Sequence, residues 1–324
     1  MRQADGITVA ISTMGRASAL ARCVRALLSG ETLPAEIVIV DQSPDEATED
    51  VVRQVASSTA SSMASSMASS SAVRVDYVRQ APLGLAASRN AAIAASTQPI
   101  VAFTDDDCVP DRGWLTSIIA VLETKPDVDV VTGRILPLGP DQPGLHAVSS
   151  RRSVIPTRFH GRALPWAVGS GANIAASRVW LTCVGGFNER LGVGSGGRSA
   201  EDVDLLYRLL LAGATVRYEP AVIIFHERKD QAGWLATRSS YGYGMGAFCG
   251  MWLRMHDSYA GWMLARWCAE RALSLARACA KGRSRRAMGE LVMLKGAASG
   301  LVYGARCEGS RMRCETTVAA ECTR

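Results

Sequence analysis

Three consecutive aspartates, Asp105, Asp106 and Asp107, follow an apolar run at residues 100–103, with one threonine between them. Four apolar residues in a row predict a strand that is buried on both faces, as in a parallel sheet. Ligands bind at the carboxyl ends of strands in open α/β sheets, and adjacent carboxylates repel one another unless a cation or hydrogen-bond donors neutralise them. Mg²⁺ and Mn²⁺ prefer carboxylate oxygens. The stretch therefore predicts a divalent metal site, with a solvated acidic turn as the alternative.

A second pair of carboxylates, Glu201 and Asp202, opens a segment with helical periodicity. Leucines at 205–206 and 209–210 recur at the spacing of one helix face. Ser199 and Asp202 are three residues apart, which fits the capping-box pattern. Asp202 is therefore either a helix cap or a group with a chemical role.

The composition is that of a globular protein. The chain has 324 residues, of which 48% are hydrophobic and 20% charged, enough for one large or two ordinary domains. The formal net charge of +6 is modest, and it suits phosphate-bearing substrates or an anionic membrane surface without selecting between them.

The sequence also bears on location. The early apolar run at 7–11 is too short for a signal peptide, and Arg254, Asp257 and Arg266 interrupt the most apolar late region, so we expect no membrane span. Nine cysteines without a CxxC pair indicate neither a disulfide framework nor a zinc site, which favours a cytoplasmic location.

Strand and helix patterns alternate through the first part of the chain, which predicts βαβ units and a mainly parallel sheet. The predicted strands are 7–11, 36–40, 73–78, 100–103 and 128–131, and the predicted helices are 17–28, 46–56, 86–95 and 114–123. Residues 56–72, an imperfect SSMA repeat with little apolar bulk, are expected to be a disordered loop insertion.

The pattern changes after residue 131. Glycine-rich stretches at 169–173 and 193–197 are typical of loops around an active site. A helix at 201–212 and strands at 215–218 and 222–225 follow. We place a domain boundary at 230, and residues 231–324 form a partly amphipathic helical segment with a basic cluster at Lys281, Arg283, Arg285 and Arg286. This cluster is either a solvated helix face or a contact with a membrane surface.

Taken in order, the motifs over residues 6–226 resemble those of the family 2 glycosyltransferases, inverting enzymes that transfer a sugar from a nucleotide-sugar donor. The resemblance implies an α/β protein with the Rossmann-like GT-A fold. "ISTMGR" at 11–16 resembles the opening strand and loop, which implies nucleotide contacts by Thr13 and Arg16. "VDQSPD" implies contact of Asp41 with the base or ribose, and "GLAASRN" places Arg89 near the diphosphate or ribose.

The aspartates match the metal-binding DxD motif of that family. "TDDD" implies that Asp105 faces the ribose and metal and that Asp107 is a metal ligand, with Asp106 able to replace either at the donor. "FHE" implies that His226 is a third ligand, although a histidine after an apolar strand is as often structural. The implied cofactor is Mg²⁺ or Mn²⁺.

The acceptor side is implied by two further motifs. "GGFNE" resembles the acceptor loop and points to Asn188 and Glu189. "AEDVDL" resembles the ED motif, which makes Asp202 the catalytic base and places Glu201 beside the acceptor. Trp114 is either an aromatic platform for the acceptor sugar or a core residue.

The expected activity is metal-assisted, inverting transfer from a nucleotide sugar, UDP-linked by default, to a hydroxyl of a glycan, lipid-linked saccharide or small molecule, as in polysaccharide biosynthesis. Nucleic acid is not an expected partner. The C-terminal helices are a candidate contact with the inner face of the membrane. A sugar nucleotidyltransferase and a non-catalytic nucleotide-sugar-binding module are the alternatives. The first needs a glycine-rich phosphate loop, whereas "STMGRASAL" has one glycine, and the intact aspartates argue against the second.

Overall fold

A computed structural model of the chain describes residues 2–64 and 73–307. The strands are β1 Arg2–Thr13, β2 Thr32–Asp41, β3 Arg74–Arg79, β4 Ile100–Asp105, β5 Cys108–Pro110, β6 Val130–Pro137, β7 Thr157–Phe159, β8 Ile174–Ser177 and β9 Val216–His226. The helices are α1 Ala17–Leu28, α2 Ala47–Ala64, α3 Leu85–Ala95, α4 Trp114–Thr124, α5 Pro165–Val168, α6 Arg178–Cys183, α7 Glu201–Leu211, α8 Gln231–Arg254, α9 Ser258–Ala280 and α10 Ser284–Arg306.

The described strands form one sheet in the order β3-β2-β1-β4-β8-β6-β9-β5, with β7 on β9. β1 pairs in parallel with β2 and β4, and β2 with β3. This half matches the predicted βαβ pattern, and the α/β class is confirmed. The other half is mixed, because β8, β5 and β7 pair antiparallel with their neighbours while β6 and β9 are parallel.

Both faces of the sheet are covered. Val9 and Ile11 of β1 pack with α1 and α4 in one core cluster, whereas Ala10 packs with α3 and α7 in another. This alternation follows from the two-residue period of a strand. The parallel register places Ser12 opposite Asp105 and Thr13 opposite Asp41, so the strand ends with predicted site residues meet at one edge.

Two predicted segments differ from the structure. α2 continues to Ala64, so residues 57–64 are helical rather than part of a loop. This run lacks glycine and proline, so nothing in it breaks the helix that begins at Ala47, although five of its eight residues are serine or threonine, which favour helix less than alanine does. The remainder of the predicted insertion, 65–72, lies outside the described residues. The strands predicted at 215–218 and 222–225 are one strand, β9, in which a register shift absorbs the interruption.

The helices α8 and α10 pack backbone against backbone through glycines. A Cβ atom at Gly246 would collide with the carbonyl oxygen of Ala297, and one at Gly300 with that of Tyr243. Only glycine permits so close an approach. Elsewhere these helices share a core cluster with Tyr207 of α7, and the division of the chain at residue 230 stays a prediction.

The described helices include none that is both long and apolar enough to cross a bilayer. The apolar stretch around α8 and α9 that suggested membrane contact is mostly core. Trp252, Met263 and Trp267 are buried, and Trp262 is the member with half of its surface exposed.

Candidate functional site

A cavity of about 1050 Å³ opens at the carboxyl ends of β1, β2 and β4. One wall carries the predicted donor residues Thr13, Arg16, Arg89, Asp105, Asp107 and His226. The start of α7, with Glu201 and Asp202, and the glycine-rich turn at 169–172 also line the cavity. The opposite wall comes from residues 149–151, α5 and the C-terminal helices. The structure thus brings most of the predicted residues to one space.

The three aspartates have different surroundings. Asp106 is fully buried, accepts a hydrogen bond of 2.7 Å from the Thr13 hydroxyl and lies 2.9 Å from Arg16. Burial raises the pKa of Asp106 to about 7, although Arg16 and Thr13 oppose the shift. Asp107 accepts from the other Arg16 nitrogen at 2.7 Å. Asp105 is only partly buried, with 24% of its side chain exposed; desolvation raises its pKa, but the charges of Arg89 and His226 outweigh this effect and bring the pKa below its usual value.

The chemistry around Asp105 and Asp107 fits a divalent metal. Ligand atoms of Asp105, Asp107, Cys108 and His226 all lie within 4.8 Å of one another. His226 Nε2 is 3.6 Å from Asp107 Oδ1. Burial raises the pKa of the Cys108 thiol, and sulfur is a soft donor that Mg²⁺ and Mn²⁺ disfavour. Two carboxylates and an imidazole are a donor set suited to a cation such as Mn²⁺, with further positions left for phosphate oxygens.

Arg89 joins the two acidic groups of the cavity. Its guanidinium donates to Asp105 Oδ1 at 2.8 Å and to Glu201 Oε1 at 2.9 Å, and the residue is only 3% exposed. Gly171 makes room for it, because a Cβ there would lie 2.5 Å from Arg89 Nη1. The predicted contact of Arg89 with a diphosphate stays a prediction, since Nη1 and Nη2 of Arg89 already donate to the carboxylates of Glu201 and Asp105.

Asp202 faces the cavity from the first turn of α7. Its Oδ2 accepts from the Gly171 N–H at 2.7 Å and its Oδ1 from the Val203 N–H at 2.8 Å. The capping-box alternative is wrong, because Ala200 is the N-cap and the Ser199 hydroxyl donates to the Ser240 carbonyl. Arg198 and Ala200 both have positive φ, 64° and 73°, and such strained backbone is concentrated at functional sites.

Glu201 differs from its neighbour. It is buried and ion-paired with Arg89. Burial, followed by the charge of Asp202, raises the pKa of Glu201. Glu201 lines the cavity, but its carboxylate is bound to Arg89, so of this pair Asp202 is the better placed to take up a proton.

Asp41 and Trp114 do not line the cavity. Asp41 is fully buried and accepts hydrogen bonds from the Ser43 amide at 2.8 Å and the Tyr77 hydroxyl at 2.7 Å. Trp114 is 1% exposed, and its indole N–H donates to Asn173 at 2.9 Å. The prediction of Trp114 as an acceptor platform is therefore wrong: it is a core residue, because α4 turns this face onto the sheet.

The predicted acceptor loop is also displaced from the cavity wall. Glu189 accepts from the side-chain amide of Asn90 at 2.9 Å. Asn188 accepts from the Arg190 amide at 3.2 Å and faces Met251 of α8. These contacts tie the loop to α3 and α8, and the predicted acceptor contacts of both residues have no support in this placement.

Several cavity residues carried no signal in the sequence. Gln42 follows Asp41, lines the cavity and bonds both the amide and the carbonyl of Gly84. Arg151, Lys229 and Tyr241 come from a loop and from the start of the helical segment. Only the fold brings these distant segments together. The basic residues within 228–238 are the one signal in the sequence that could have indicated a cationic part of the site.

Comparisons with known proteins agree with the geometry. The family model described as "Glycosyl transferase family 2" matches residues 8–181, and "Glycosyl transferase family group 2" matches residues 100–284. "Pre-mycofactocin glycosyltransferase" of Mycobacterium tuberculosis, strains CDC 1551 / Oshkosh and ATCC 25618 / H37Rv, is 35% identical over 164 residues, 49% of this chain. The match covers 33% of those relatives, so the chain spans about a third of their length.

Two solved structures share the fold. The mannosyltransferase PcManGT from Pyrobaculum calidifontis, in complex with GDP-Man and Mn²⁺, has a TM-score of 0.61 and 17% identity, covering 93% of this chain and 88% of its own. TarS 1–349 of S. aureus has a TM-score of 0.54 and 15% identity, covering 77% of this chain and 64% of its own. At these identities the likeness establishes the architecture alone.

Proposed function

Because the chain belongs to glycosyltransferase family 2, and so is an enzyme with the GT-A fold that uses a nucleotide-sugar donor, we propose that it transfers the sugar by one inverting displacement with Asp202 as general base. One observation carries the proposal. Asp202 is a cavity carboxylate that backbone N–H groups hold in place, and among the described residues it has no ion-pair partner. It is fixed in position while remaining able to accept a proton.

The donor end of the proposed site is built from β1 and β4. Asp105, Asp107 and His226 would hold Mg²⁺ or Mn²⁺, which when bound would neutralise the negative charge of the diphosphate leaving group. Thr13 and Arg16 lie against the same aspartates. Arg16 has about half of its side chain exposed, so it can move from the carboxylates to a donor phosphate.

The proposed step is a single displacement at the anomeric carbon of the donor sugar. The acceptor hydroxyl oxygen forms a bond to the anomeric carbon, and the bond from that carbon to the diphosphate oxygen breaks with its electron pair. Asp202 takes the hydroxyl proton as the new bond forms, when that proton becomes acidic. One displacement inverts the anomeric carbon.

The donor base and the acceptor stay open within this proposal. UDP is the default base, and GDP is a second choice because the neighbour from Pyrobaculum calidifontis is in complex with GDP-Man. Two relatives are named pre-mycofactocin glycosyltransferase, so pre-mycofactocin is one candidate acceptor beside a glycan, a lipid-linked saccharide or another small molecule.

We also propose that the turn between α9 and α10 can contact an anionic membrane surface. Arg277, Lys281, Arg283 and Arg286 surround a small recess there, and Met288 nearby is half exposed. Such a contact weakens with salt. Flotation of the full chain with anionic vesicles at low salt tests it, and a protein that stays wholly in the soluble fraction contradicts it.

The function is tested in two steps. A thermal-shift panel of UDP, GDP, dTDP and CDP, with and without Mn²⁺, identifies the nucleotide, since a ligand of the native state raises the melting temperature. The matching nucleotide sugar is then supplied, and NMR reports the anomeric configuration of the product. A product that retains the donor configuration contradicts the single displacement. A panel with no metal-dependent shift contradicts the donor site.

A further inference from the structure

The acidic and the basic residues that line the cavity come mostly from different segments of the chain. The carboxylates that line it, at 105, 107, 201 and 202, all come from β4, the residues after it and α7. Four cations lie on the wall formed by the loop at 149–151 and the segment after β9. We call this set the cationic wall: Arg151, Lys229, Arg238 and Arg271. Among the described lining residues, that wall contributes no carboxylate.

Arg151 has no carboxylate partner among the described residues, and its guanidinium carbon lies 5.6 Å from the centre of the Tyr218 ring. Its two terminal nitrogens donate to the main-chain carbonyls of Trp166, at 2.8 Å, and Ala167. Its Nε–H is buried and has no acceptor within the described part of the chain. Burial lowers the pKa of Arg151, an effect that the charge of Asp202 opposes. Asp202 is therefore near enough to act electrostatically, yet the two do not form an ion pair.

The other members are only partly neutralised. Arg238 lies 2.7 Å and Arg271 3.5 Å from the same buried carboxylate, Glu290, which is behind the wall. Lys229 donates to the Thr237 hydroxyl at 3.1 Å and has no carboxylate partner among the described residues. Glu290 therefore pairs with two of the four cations, and the other two have no carboxylate partner among the described residues. Burying cations without partners is unfavourable, and a ligand that supplies negative charge relieves this.

We propose that the cationic wall binds an oxyanion, a carboxylate or a phosphate, on the acceptor, with Arg151 and Lys229 as its principal contacts. This inference rests on the proposed function, because it places the acceptor between the wall and Asp202. A guanidinium fork matches the paired oxygens of either group. The donor diphosphate is the less suitable ligand, since its predicted place is against Asp105 and Asp107 on the other side.

The test compares sugars that differ in charge. The full chain is saturated with the nucleoside diphosphate and Mn²⁺ found in the panel, so that the donor end is filled. Methyl β-glucoside, glucuronate and glucose 6-phosphate are then titrated by calorimetry. We expect one or both anionic sugars to bind at least about 10-fold more tightly than the neutral one, and the two arms separate carboxylate from phosphate.

Variants assign the effect to the wall. Lys229→Gln and Arg151→Lys should each reduce the preference for the anionic sugar about 3- to 10-fold or more. We choose Arg151→Lys because it keeps the positive charge, whereas Arg151→Gln removes the charge and risks disrupting the hydrogen bonds to α5. Arg158→Gln, at a half-exposed arginine outside the cavity, is the matched control and should change nothing.

Three results overturn the proposal: equal binding, or none, of charged and neutral sugars; an unchanged preference in both wall variants; or a loss of nucleotide affinity in those variants, which would assign the wall to the donor. If no nucleotide binds the wild type, the proposed function fails separately. The titration is then run on the metal-free protein, where the anionic preference must still appear.

Discussion

The cavity has two acidic groups, the Asp105–Asp107 cluster and the Glu201–Asp202 pair, and they differ in how their charge is balanced. Arg16, which has 49% of its side chain exposed, pairs with Asp106 and Asp107 of the cluster, whereas Asp105 pairs with the buried Arg89. The pair meets Arg89, which is almost wholly buried and binds Glu201. The exposed Arg16 can leave its carboxylates when a metal and a diphosphate bind there. The buried Arg89 has no room to leave Glu201.

This difference explains which carboxylate is suited to which chemistry. The cluster needs a replaceable partner because its proposed ligand enters and leaves in each turnover. In the pair, Arg89 holds Glu201 permanently and leaves Asp202 with backbone donors alone. The surroundings of otherwise similar acids thus separate a binding role from a proton-accepting one.

The largest expected effect is at Asp202. Asp202→Asn keeps the size of the side chain but removes the basic oxygen, so turnover should fall by about 10²- to 10⁴-fold while donor affinity barely changes. Initial rates and nucleotide calorimetry on the same preparation measure both. Glu189→Gln, the same change at a carboxylate away from the cavity, is the control. Near-normal turnover of folded Asp202→Asn would end the assignment.

Arg89 should be the next most sensitive position, because it belongs to both groups. Arg89→Lys keeps the charge but not the fork that reaches Asp105 and Glu201, and the free energy of unfolding should fall by about 1–3 kcal/mol. Nucleotide affinity and turnover should fall together. Arg16→Lys, at the half-exposed partner, should change stability by less than about 0.5 kcal/mol. Denaturant unfolding of both variants measures this, and equal losses would erase the distinction between the two counter-charges.

At Asp107 the effect should be confined to the donor. Asp107→Ala removes a proposed metal ligand, so the Mn²⁺-dependent part of nucleotide affinity should weaken by about 10- to 100-fold. Calorimetry with Mn²⁺ and with EDTA separates this part from the rest. If Asp107→Ala binds nucleotide as tightly as the wild type in Mn²⁺, the cluster is not the metal site.

The smallest expected effect is at Glu36, a buried acid outside the cavity that we compare with Glu201. Burial raises its pKa, but hydrogen bonds from Thr8 and Thr97 and the charge of Arg74 bring it below the ordinary 4.5. The ionised Glu36 carboxylate therefore contributes its full stabilisation above about pH 4.5, and this stabilisation is lost as the pH falls through the folded-state pKa. Glu36→Gln should cost about 1 kcal/mol near neutral pH and less in acid.

Melting temperatures of the wild type and Glu36→Gln measure this pH dependence between about pH 7 and about pH 3, a range that includes the ordinary pKa of a carboxyl group. Glu201 has the opposite shift, so Glu201→Gln should change the slope of stability with pH in the opposite sense. A difference between wild type and Glu36→Gln that stays constant with pH would mean that the carboxylate is not what stabilises this position.

The sequence predicted the first half of the fold because each of its strands has its own apolar run and each helix its own periodicity. The short strand β5 has no such run, since it is defined by its pairing with β9. α2 was cut short because a serine-rich run was interpreted as a loop, although it contains no glycine or proline to end the helix. Pairing and packing beyond the segment decide such cases.

For the site, motifs were enough to place Asp105, Asp107 and Asp202 at one cavity. They failed for Trp114, whose position on α4 directs it to the core. Arg151 could not be found from its neighbours in the chain, because only folding brings it near Asp202. The donor half follows local strand ends, whereas the acceptor half depends on contacts between distant segments.

The glycine packing of α8 against α10 has a consequence for protein engineering. Gly242, Gly246 and Gly250 occupy one side of α8, while Thr237, Tyr241 and Met245 on another side line the cavity. The first set cannot be changed without separating two backbones. Thr237 and Tyr241 border the cavity, whereas Met245 is 4% exposed and also belongs to the core cluster. A mutant library restricted to 237 and 241 would vary the shape of the cavity while the pairing of α8 and α10 stays intact, whereas one that included the glycines would push the two helices apart.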